Sequence, residues 1–452
     1  MPISLIYLCV MLAVIFIWFV AFKRPVYEAV FVSFVVLLFV TGTYANVFSY
    51  IDKGLSTSLL YSMAAFVAMS IVMTKTKVID SCIAIILSVL GRVTGGAGYV
   101  SVIASGFMGA LSGSGPGNVM STGVITIPAM IKSGFPRELA GNIESNSSYL
   151  GNMIPPSSNI VAALGAFTAL YPTVNMTIGQ FWVVLWGVSI WFIIQRMLMV
   201  YGFCKYYKVK PLSKEELPNF KESLKIGWQG LLLPFIILVP FVLDYLFKDT
   251  FFTQRLGEAG AKAFSSSMLI FVPGIAALYA CIITKDKSVV SLRNLADMFA
   301  KGVKTISPTI GVCLFGYMIG ALFADLNVAV EMEAFILGFS FGKLGMVIFL
   351  CVITCILGMV IPGSSIVVIF GPVFITSFAS VGVDPLLAAA MLPCICGVMC
   401  GITPPLGLGM YAGMTISEAD FNKTFWNNMW WVAAQFVLQI VVLMGLLPII
   451  GM

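Results

Sequence analysis

The 452-residue chain contains no histidine, and only 10% of its residues are charged. Soluble domains carry about 25% charged residues, so a solvated globular enzyme is excluded at the outset. Without histidine the chain lacks the commonest metal ligand and the usual neutral-pH acid–base group. No Gly-x-Ser-x-Gly elbow and no paired intramembrane aspartates replace it. An intramembrane enzyme needs such a constellation, and the chain reads as a non-enzyme. Positive charge is missing from two long stretches: no Lys or Arg lies between Arg137 and Arg196, or between Lys343 and Lys423. A small-residue cleavage site is missing after the first apolar run, where Lys23-Arg24-Pro25 follows directly. Residues 3–22 are therefore expected to be a retained span and not a signal peptide.

What the chain has in abundance is apolar sequence, 60% of the total. Long runs occupy residues 3–22, 26–41, 57–74, 181–203, 228–247, 266–283, 305–324, 344–360, 385–401 and 430–450. Each is near the roughly 17–25 residues that cross a bilayer, which predicts an all-α polytopic membrane protein with the lipid bilayer as its solvent. The net charge of +6 then reads as cytoplasmic basic loops and not as a nucleic-acid surface. Cys394, Cys396 and Cys400 suggest a metal pattern, but on a helix the first two point apart. They read as small apolar residues.

Basic clusters set the topology. Lys23 and Arg24 place the end of the first span in the cytoplasm. Arg92 before residues 95–131, and Lys132 and Arg137 after them, make that segment a hairpin entering and leaving on the cytoplasmic side. The expected organisation is scaffold helices 1–94; a first core repeat 95–202, with hairpin 95–131 and broken helix 138–171; and a cytoplasmic linker 203–227. A second scaffold half, 228–343, then precedes a second core repeat 344–452, with hairpin 361–379, broken helix 385–414 and a last span.

Each half carries a glycine-proline break followed by a double proline. The first is Ser112-Gly-Ser-Gly-Pro-Gly-Asn118 with Ile154-Pro-Pro-Ser-Ser-Asn159; the second is Gly358-Met-Val-Ile-Pro-Gly-Ser-Ser365 with Ile402-Thr-Pro-Pro-Leu-Gly407. Pro116 precedes Pro155 by 39 positions and Pro362 precedes Pro404 by 42. Non-helical backbone at membrane depth must be satisfied by protein, water or ion. Such paired, interrupted segments point to the binding site of a secondary transporter.

Residues 140–159 are the least membrane-like part of the core. Glu144, Ser147, Ser148 and Gly151 share one helical face, expected to meet the first hairpin or a wet cavity. An ionisable residue within a span is a functional candidate, so Glu144 is a candidate proton or coupling site. The alternative is a position near the cytoplasmic end, hydrated or hydrogen-bonded to a neighbouring helix, since Glu144 is only seven residues beyond Arg137.

Ser112-Gly-Ser114, Ile127-Pro-Ala-Met130 with Gly134-Phe-Pro, Ile154-Pro-Pro-Ser157, Gly358-Met359 and Gly401-Ile-Thr-Pro-Pro-Leu-Gly407 resemble the large membrane subunit of tripartite ATP-independent periplasmic (TRAP) transporters, over roughly residues 60–450. The resemblance implies an inverted repeat of two helical hairpins and two broken helices working as an elevator-type transporter in the bacterial inner membrane. It implies symport of a small organic anion, a carboxylate or dicarboxylate, with Na+ or H+. The partners it implies are a periplasmic substrate-binding protein and a small four-span membrane subunit. By motif position it implies a cation site of Ser114, Asn118, Pro155, Ser157, Ser365, Thr403 and Pro404. The substrate site would draw on Ser112, Gly113, Ser114, Asn152, Pro156, Ser157, Ser158, Pro362, Gly363, Ser364 and Pro405.

Two departures stand out. No acidic residue follows the Gly-Met of the second hairpin, and residues 251–265 lack the Thr-Pro-Thr-Glu-Ala-like segment of the family. The first bears on the second cation site, the second on partner docking. A stand-alone divalent-anion or proton-coupled symporter of the same superfamily is the nearest alternative; Ser157-Ser158-Asn159 matches its Ser-Asn-Thr tips loosely. A channel would not need the twofold broken design.

Overall fold

The computed structural model describes residues 2–112, 115–174, 176–213, 215–338, 342–359, 362–404 and 407–452, and among them there is no β-strand. The chain begins with α1 (Ile3–Phe16), α2 (Val26–Val40), α3 (Val47–Leu55), α4 (Ser58–Thr76) and α5 (Val78–Leu90). A helical hairpin follows. Its helices α6 (Gly96–Val100) and α7 (Gly106–Ser112) are joined by a π-helical turn, Ser101–Ser105, and α8 (Gly115–Ser133) returns alongside them. Then come α9 (Arg137–Leu150), α10 (Ser158–Leu170) and the long α11 (Ile178–Tyr207).

The second half runs α12 (Phe220–Gly227), α13 (Leu233–Phe247), α14 (Thr253–Ile283), α15 (Leu292–Asp325) and α16 (Val328–Leu337). Helices α17 (Lys343–Gly358) and α18 (Gly363–Ser380) pack on each other. A second broken element comprises α19 (Pro385–Leu392), a π-helical turn Pro393–Val398, α20 (Met399–Ile402) and α21 (Leu408–Ser417). The described chain closes with α22 (Phe421–Leu443).

Local chemistry explains several of these ends. Thr177 and Gln180 form a reciprocal capping box at the start of α11. Asp384 accepts from the amides of Leu386 and Leu387 at 2.8 and 3.2 Å, opening α19 immediately before Pro385. Asp420 caps α22 through the Lys423 amide at 3.1 Å. Pro155 and Pro156 lie in the non-helical stretch between α9 and α10, and Pro404 follows the end of α20, where proline cannot continue the amide ladder.

Two extents differ from the sequence reading. Helix α17 (Lys343–Gly358) is the first arm of the second hairpin, so the expected hairpin 361–379 matches only its second arm, α18. Asn118 lies in the first turn of α8 and not in the hairpin tip. Long apolar runs also overstate the unbroken spans. Five described helices are long and apolar enough to cross a membrane alone, or six if the pair Tyr44–Leu55 and Leu60–Thr76, bent by 49°, counts as one. Breaks and short arms account for the difference.

The core repeats interlock. Helix α21 packs on α8 and α9, α18 on α10, and α22 on α9. Every residue from Leu139 to Leu150 is buried, which explains how so polar a helix persists. Asn142 Nδ2 donates to the Thr424 carbonyl and to Asn427 Oδ1, both at 2.9 Å, and Asn146 Nδ2 donates to Asn428 Oδ1 at 3.1 Å. Asn142 and Asn146 thus spend their polarity on α22 and not on lipid.

Candidate functional site

Glu144 has none of its surface exposed, which excludes hydration at the cytoplasmic end. Five hydroxyls meet its carboxylate. Ser101 Oγ and Ser105 Oγ lie 2.8 and 3.0 Å from Oε2, and Thr126 Oγ1 lies 2.5 Å from the same oxygen. Ser148 Oγ is 2.9 Å from Oε1, and Thr122 Oγ1 also contacts Oε1. The hydroxyls come from three elements: the π-helical turn 101–105, α8, and α9 itself. No Lys or Arg among the described residues forms an ion pair with Glu144.

Thr122 and Thr126 each have a second acceptor, the helix carbonyl four residues earlier, at 2.8 and 3.1 Å. A hydroxyl owns one proton. Each threonine can aim that proton at an ionised Glu144, or at the helix backbone when the carboxyl carries its own. Asn118 extends the network: its Nδ2 donates to the Ser105 carbonyl and to Ser148 Oγ, both at 2.8 Å. Asn118 therefore reaches the carboxylate through Ser148. No hydrogen bond among the described residues joins it to Ser365 or Thr403, the cation-site candidates of the second half.

A second centre lies where the two broken elements meet. Asn152 Nδ2 donates to the Gly397 carbonyl at 2.9 Å. A Cβ on Gly397 would stand 3.1 Å from Asn159 Nδ2 and 3.3 Å from Asn152 Cβ, so glycine makes the approach a close one. The Gly363 amide donates to Cys400 Sγ at 3.1 Å, and a Cβ there would be 2.5 Å from Gly397 Cα. The N-terminus of the second hairpin's return arm, the first break and the second broken element are thus brought together.

Tyr149 joins the remaining motif to this place. Its buried ring fills the space over Gly115 of the first hairpin and over Gly401 and Gly409 of the second broken element. A Cβ on those glycines would lie 2.5, 1.7 and 2.3 Å from ring atoms.

The proposed substrate and ion residues distribute as follows. Ser157, Ser158, Ser365 and Thr403 are buried. Ser157 stands at the N-cap position of α10 but makes no capping bond, and its Oγ has no hydrogen-bond partner among the described residues. Thr403 Oγ1 is taken by the Met399 carbonyl at 2.7 Å. Pro155 and Pro156 are buried in the first break, Gly363 is buried, and Pro362, Ser364 and Pro404 are half-buried. Ser112 ends α7. Gly113, Ser114 and Pro405 lie outside the described residues, as does the side chain of Ser112.

Sequence reasoning missed Ser101, Ser105, Thr122 and Thr126. Their signal was available, since each pair stands at i, i+4 on one helical face. Tyr149 and Gly397 carried no local signal.

Comparison with known proteins follows the same lines. Residues 5–449 match the family described as "Tripartite ATP-independent periplasmic transporter, DctM component". The chain is 25% identical over 393 residues to the "C4-dicarboxylate TRAP transporter large permease protein DctM" of Vibrio cholerae serotype O1, covering 85% of this chain and 83% of that one. It is 23% identical over 375 residues to the sialic acid TRAP transporter large permease protein SiaM of the same organism, covering 82% and 80%. In structure it is similar to the YdaH transporter of Alcanivorax borkumensis, with a TM-score of 0.55, 17% identity, and coverage of 88% and 89%. That likeness concerns the fold alone.

Proposed function

The chain belongs to the DctM component family of TRAP transporters, a multi-pass inner-membrane permease and not an enzyme, and from that premise we propose that it imports a small organic anion coupled to a sodium gradient. The observation that carries the reading is the convergence of both hairpins and both broken elements on Tyr149 and on the Asn152–Gly397 contact. Broken helices placed so present amide ends to an anion and carbonyl ends to a cation. With no Lys or Arg in the sequence from 138 to 195, these dipoles and the buried Ser157, Ser158, Ser365 and Thr403 supply the binding groups. A carboxylate substrate fits amide and hydroxyl donors. The relatives named for C4-dicarboxylate and sialic acid transport are consistent with that class. We further propose that a periplasmic binding protein and a small membrane subunit complete the transporter.

An elevator movement is the proposed route. Between α10 and α18 on one side and α15 on the other lies a cavity of about 530 Å³, lined by Ala162, Gly165, Ala166, Gly316, Gly320 and Ala321 among others. These small residues make part of the wall smooth, which favours sliding, while Tyr317, Phe323, Val368 and Ile369 line the rest.

A second reading is proton coupling through Glu144. It is favoured by the five hydroxyls around that carboxylate and the alternative acceptors of Thr122 and Thr126.

The test is thermal unfolding of the purified chain, titrated with sodium against potassium at several pH values. A ligand bound only by the folded state raises apparent stability. A saturable, sodium-specific rise supports sodium symport. No sodium effect, with a pH-dependent shift that Glu144→Gln removes, favours the proton.

A further inference from the structure

Two basic turns lie far apart in the sequence: Lys75-Thr-Lys77 between α4 and α5, and Thr284-Lys-Asp286 after α14. The structure fastens them together. Thr284 Oγ1 donates to the Thr76 carbonyl at 3.1 Å, across 208 positions. A third segment closes over them, the end of α12 with the 3₁₀ turn Trp228–Leu232. Tyr279 of α14 donates its hydroxyl to the Gln229 carbonyl at 3.0 Å. A Cβ on Gly227 would stand 2.8 Å from Ser81 Cβ, and one on Gly230 2.8 Å from Cys82 Sγ, so this segment lies close against α5. The three segments wall a cleft of about 280 Å³, lined by Lys75, Lys77, Ser81, Gln229, Lys285 and Asp286 among others.

Charge in this cleft is unbalanced. The side chains of Lys75, Lys77 and Lys285 form no ion pair among the described residues. Against three positive charges the wall offers one carboxylate, Asp286, whose Oδ1 already accepts from the Ser288 amide and hydroxyl at 3.1 and 2.5 Å. Asp80 lies within electrostatic range of Lys77 without pairing with it. The neighbouring Lys287 is spent elsewhere, on the Ile282 carbonyl at 2.6 Å. The backbone adds to the imbalance. Lys77 occupies the N-cap position of α5 with φ 53° and no side-chain cap bond. A helix start carries free amides and partial positive charge. A lysine there suits α4, which it ends, and opposes α5, which it begins. An anion seated at that helix start satisfies both the amides and the lysines.

The position of the cleft selects the anion. The basic-loop rule puts the Lys75–Lys77 turn, the 203–227 linker and the basic stretch after α14 on the cytoplasmic side. Beside the cleft, Ile226, Trp228 and Ile282 are 49%, 50% and 69% exposed, and exposed tryptophan near lysine is typical of the bilayer's interfacial zone. A ligand with an anionic head and apolar tails matches both features, whereas free phosphate matches only the charge. The volume is below the roughly 300–1,000 Å³ of pockets that enclose drug-sized ligands, so the cleft takes a headgroup and leaves the chains outside. Among the described residues, none of its lining belongs to a hairpin or a broken element, which separates it from the candidate transport site.

We propose that Lys75, Lys77 and Lys285 hold the phosphate of an anionic phospholipid at the start of α5, with its acyl chains along Ile226, Trp228 and Ile282. Bound there, the lipid bridges the α4–α5 turn, α12 and the end of α14 and fixes that corner of the molecule in the cytoplasmic leaflet.

The test is thermal unfolding of the purified, delipidated full chain in detergent at constant sodium and ionic strength. It is titrated with dioleoylphosphatidylglycerol, with dioleoylphosphatidylcholine, and separately with inorganic phosphate. Constant sodium keeps the outcome apart from that of sodium symport. The expected result is a saturable rise in the midpoint with the anionic lipid alone. Lys75→Gln, Lys77→Gln and Lys285→Gln together should raise the lipid needed for half of that rise at least about tenfold, since three headgroup attractions are lost. Lys132→Gln, Lys205→Gln and Lys210→Gln together remove equal charge from other exposed positions and should leave the response as in the wild type. Lys285→Gln alone lies outside any helix; it serves if the first triple variant fails to fold, and should cost about fivefold. No response to the anionic lipid, equal responses to both lipids, equal losses in the two triple variants, or the full rise with inorganic phosphate overturns the proposal.

Discussion

Asn152 Nδ2 donates to the Gly397 carbonyl at 2.9 Å, so the break in the first half is held by the π-helical turn in the second. Residues 245 positions apart share one hydrogen bond at the point where neither helix is continuous. The π-helical turn places a glycine where Asn152 and Asn159 can approach, and the two breaks become one structure.

Glu144→Gln should destabilise the folded chain by about 1.5–3 kcal/mol, the range for hydrogen bonds to a charged group. The amide keeps the volume but exchanges an acceptor-only carboxylate for a group that also donates. Thermal unfolding of both proteins under identical conditions checks it; an unchanged midpoint would show that the five hydroxyl contacts add nothing to stability.

Asn118→Ala removes a donor from the buried Ser105 carbonyl and from Ser148 Oγ. A loss of about 1–3 kcal/mol is expected. A double-mutant cycle with Ser148→Ala should show coupling of at least about 0.5 kcal/mol, because the two share one network. Additive effects would place the importance of Asn118 elsewhere.

Gly401→Ala should be severely destabilising, since its Cβ would lie 1.7 Å from the Tyr149 ring. Overpacking of a tight core costs about 1–3 kcal/mol, sometimes more. Gly202→Ala is the control: nothing lies within 4 Å of its Cβ. There, alanine's helix preference should stabilise α11 by up to about 1 kcal/mol. Melting temperatures in detergent distinguish the two.

Gly316→Cys with Val368→Cys should form a disulfide between α15 and α18. A Cβ on Gly316 lies 3.3 Å from Val368 Cβ, close to the roughly 3.5–4.5 Å of such bonds. In an elevator, oxidation stops uptake in proteoliposomes and reduction restores it. Full uptake with the bond intact would rule out sliding at this contact.

The broken-hairpin plan was readable along the chain because proline and glycine act locally: each break is caused by the residues that occupy it. Ser101/Ser105 and Thr122/Thr126 were readable in principle, since an i, i+4 spacing sets a shared face. Which face meets Glu144 was not, because that depends on how α8 lies against α9. The fit of the Tyr149 ring among Gly115, Gly401 and Gly409 also left no trace in spacing. A clash-free approach is a property of two surfaces and not of either segment.

By itself, then, the sequence determined the solvent, the helical class, the twofold pattern of breaks and the family, since these follow from composition, periodicity and local backbone chemistry. The tertiary structure alone decided that Glu144 is dry, that Asn118 reaches it through Ser148, and that Arg196 is fully buried. Those are matters of which surfaces exclude water from which charge, and exclusion requires neighbours distant in the chain.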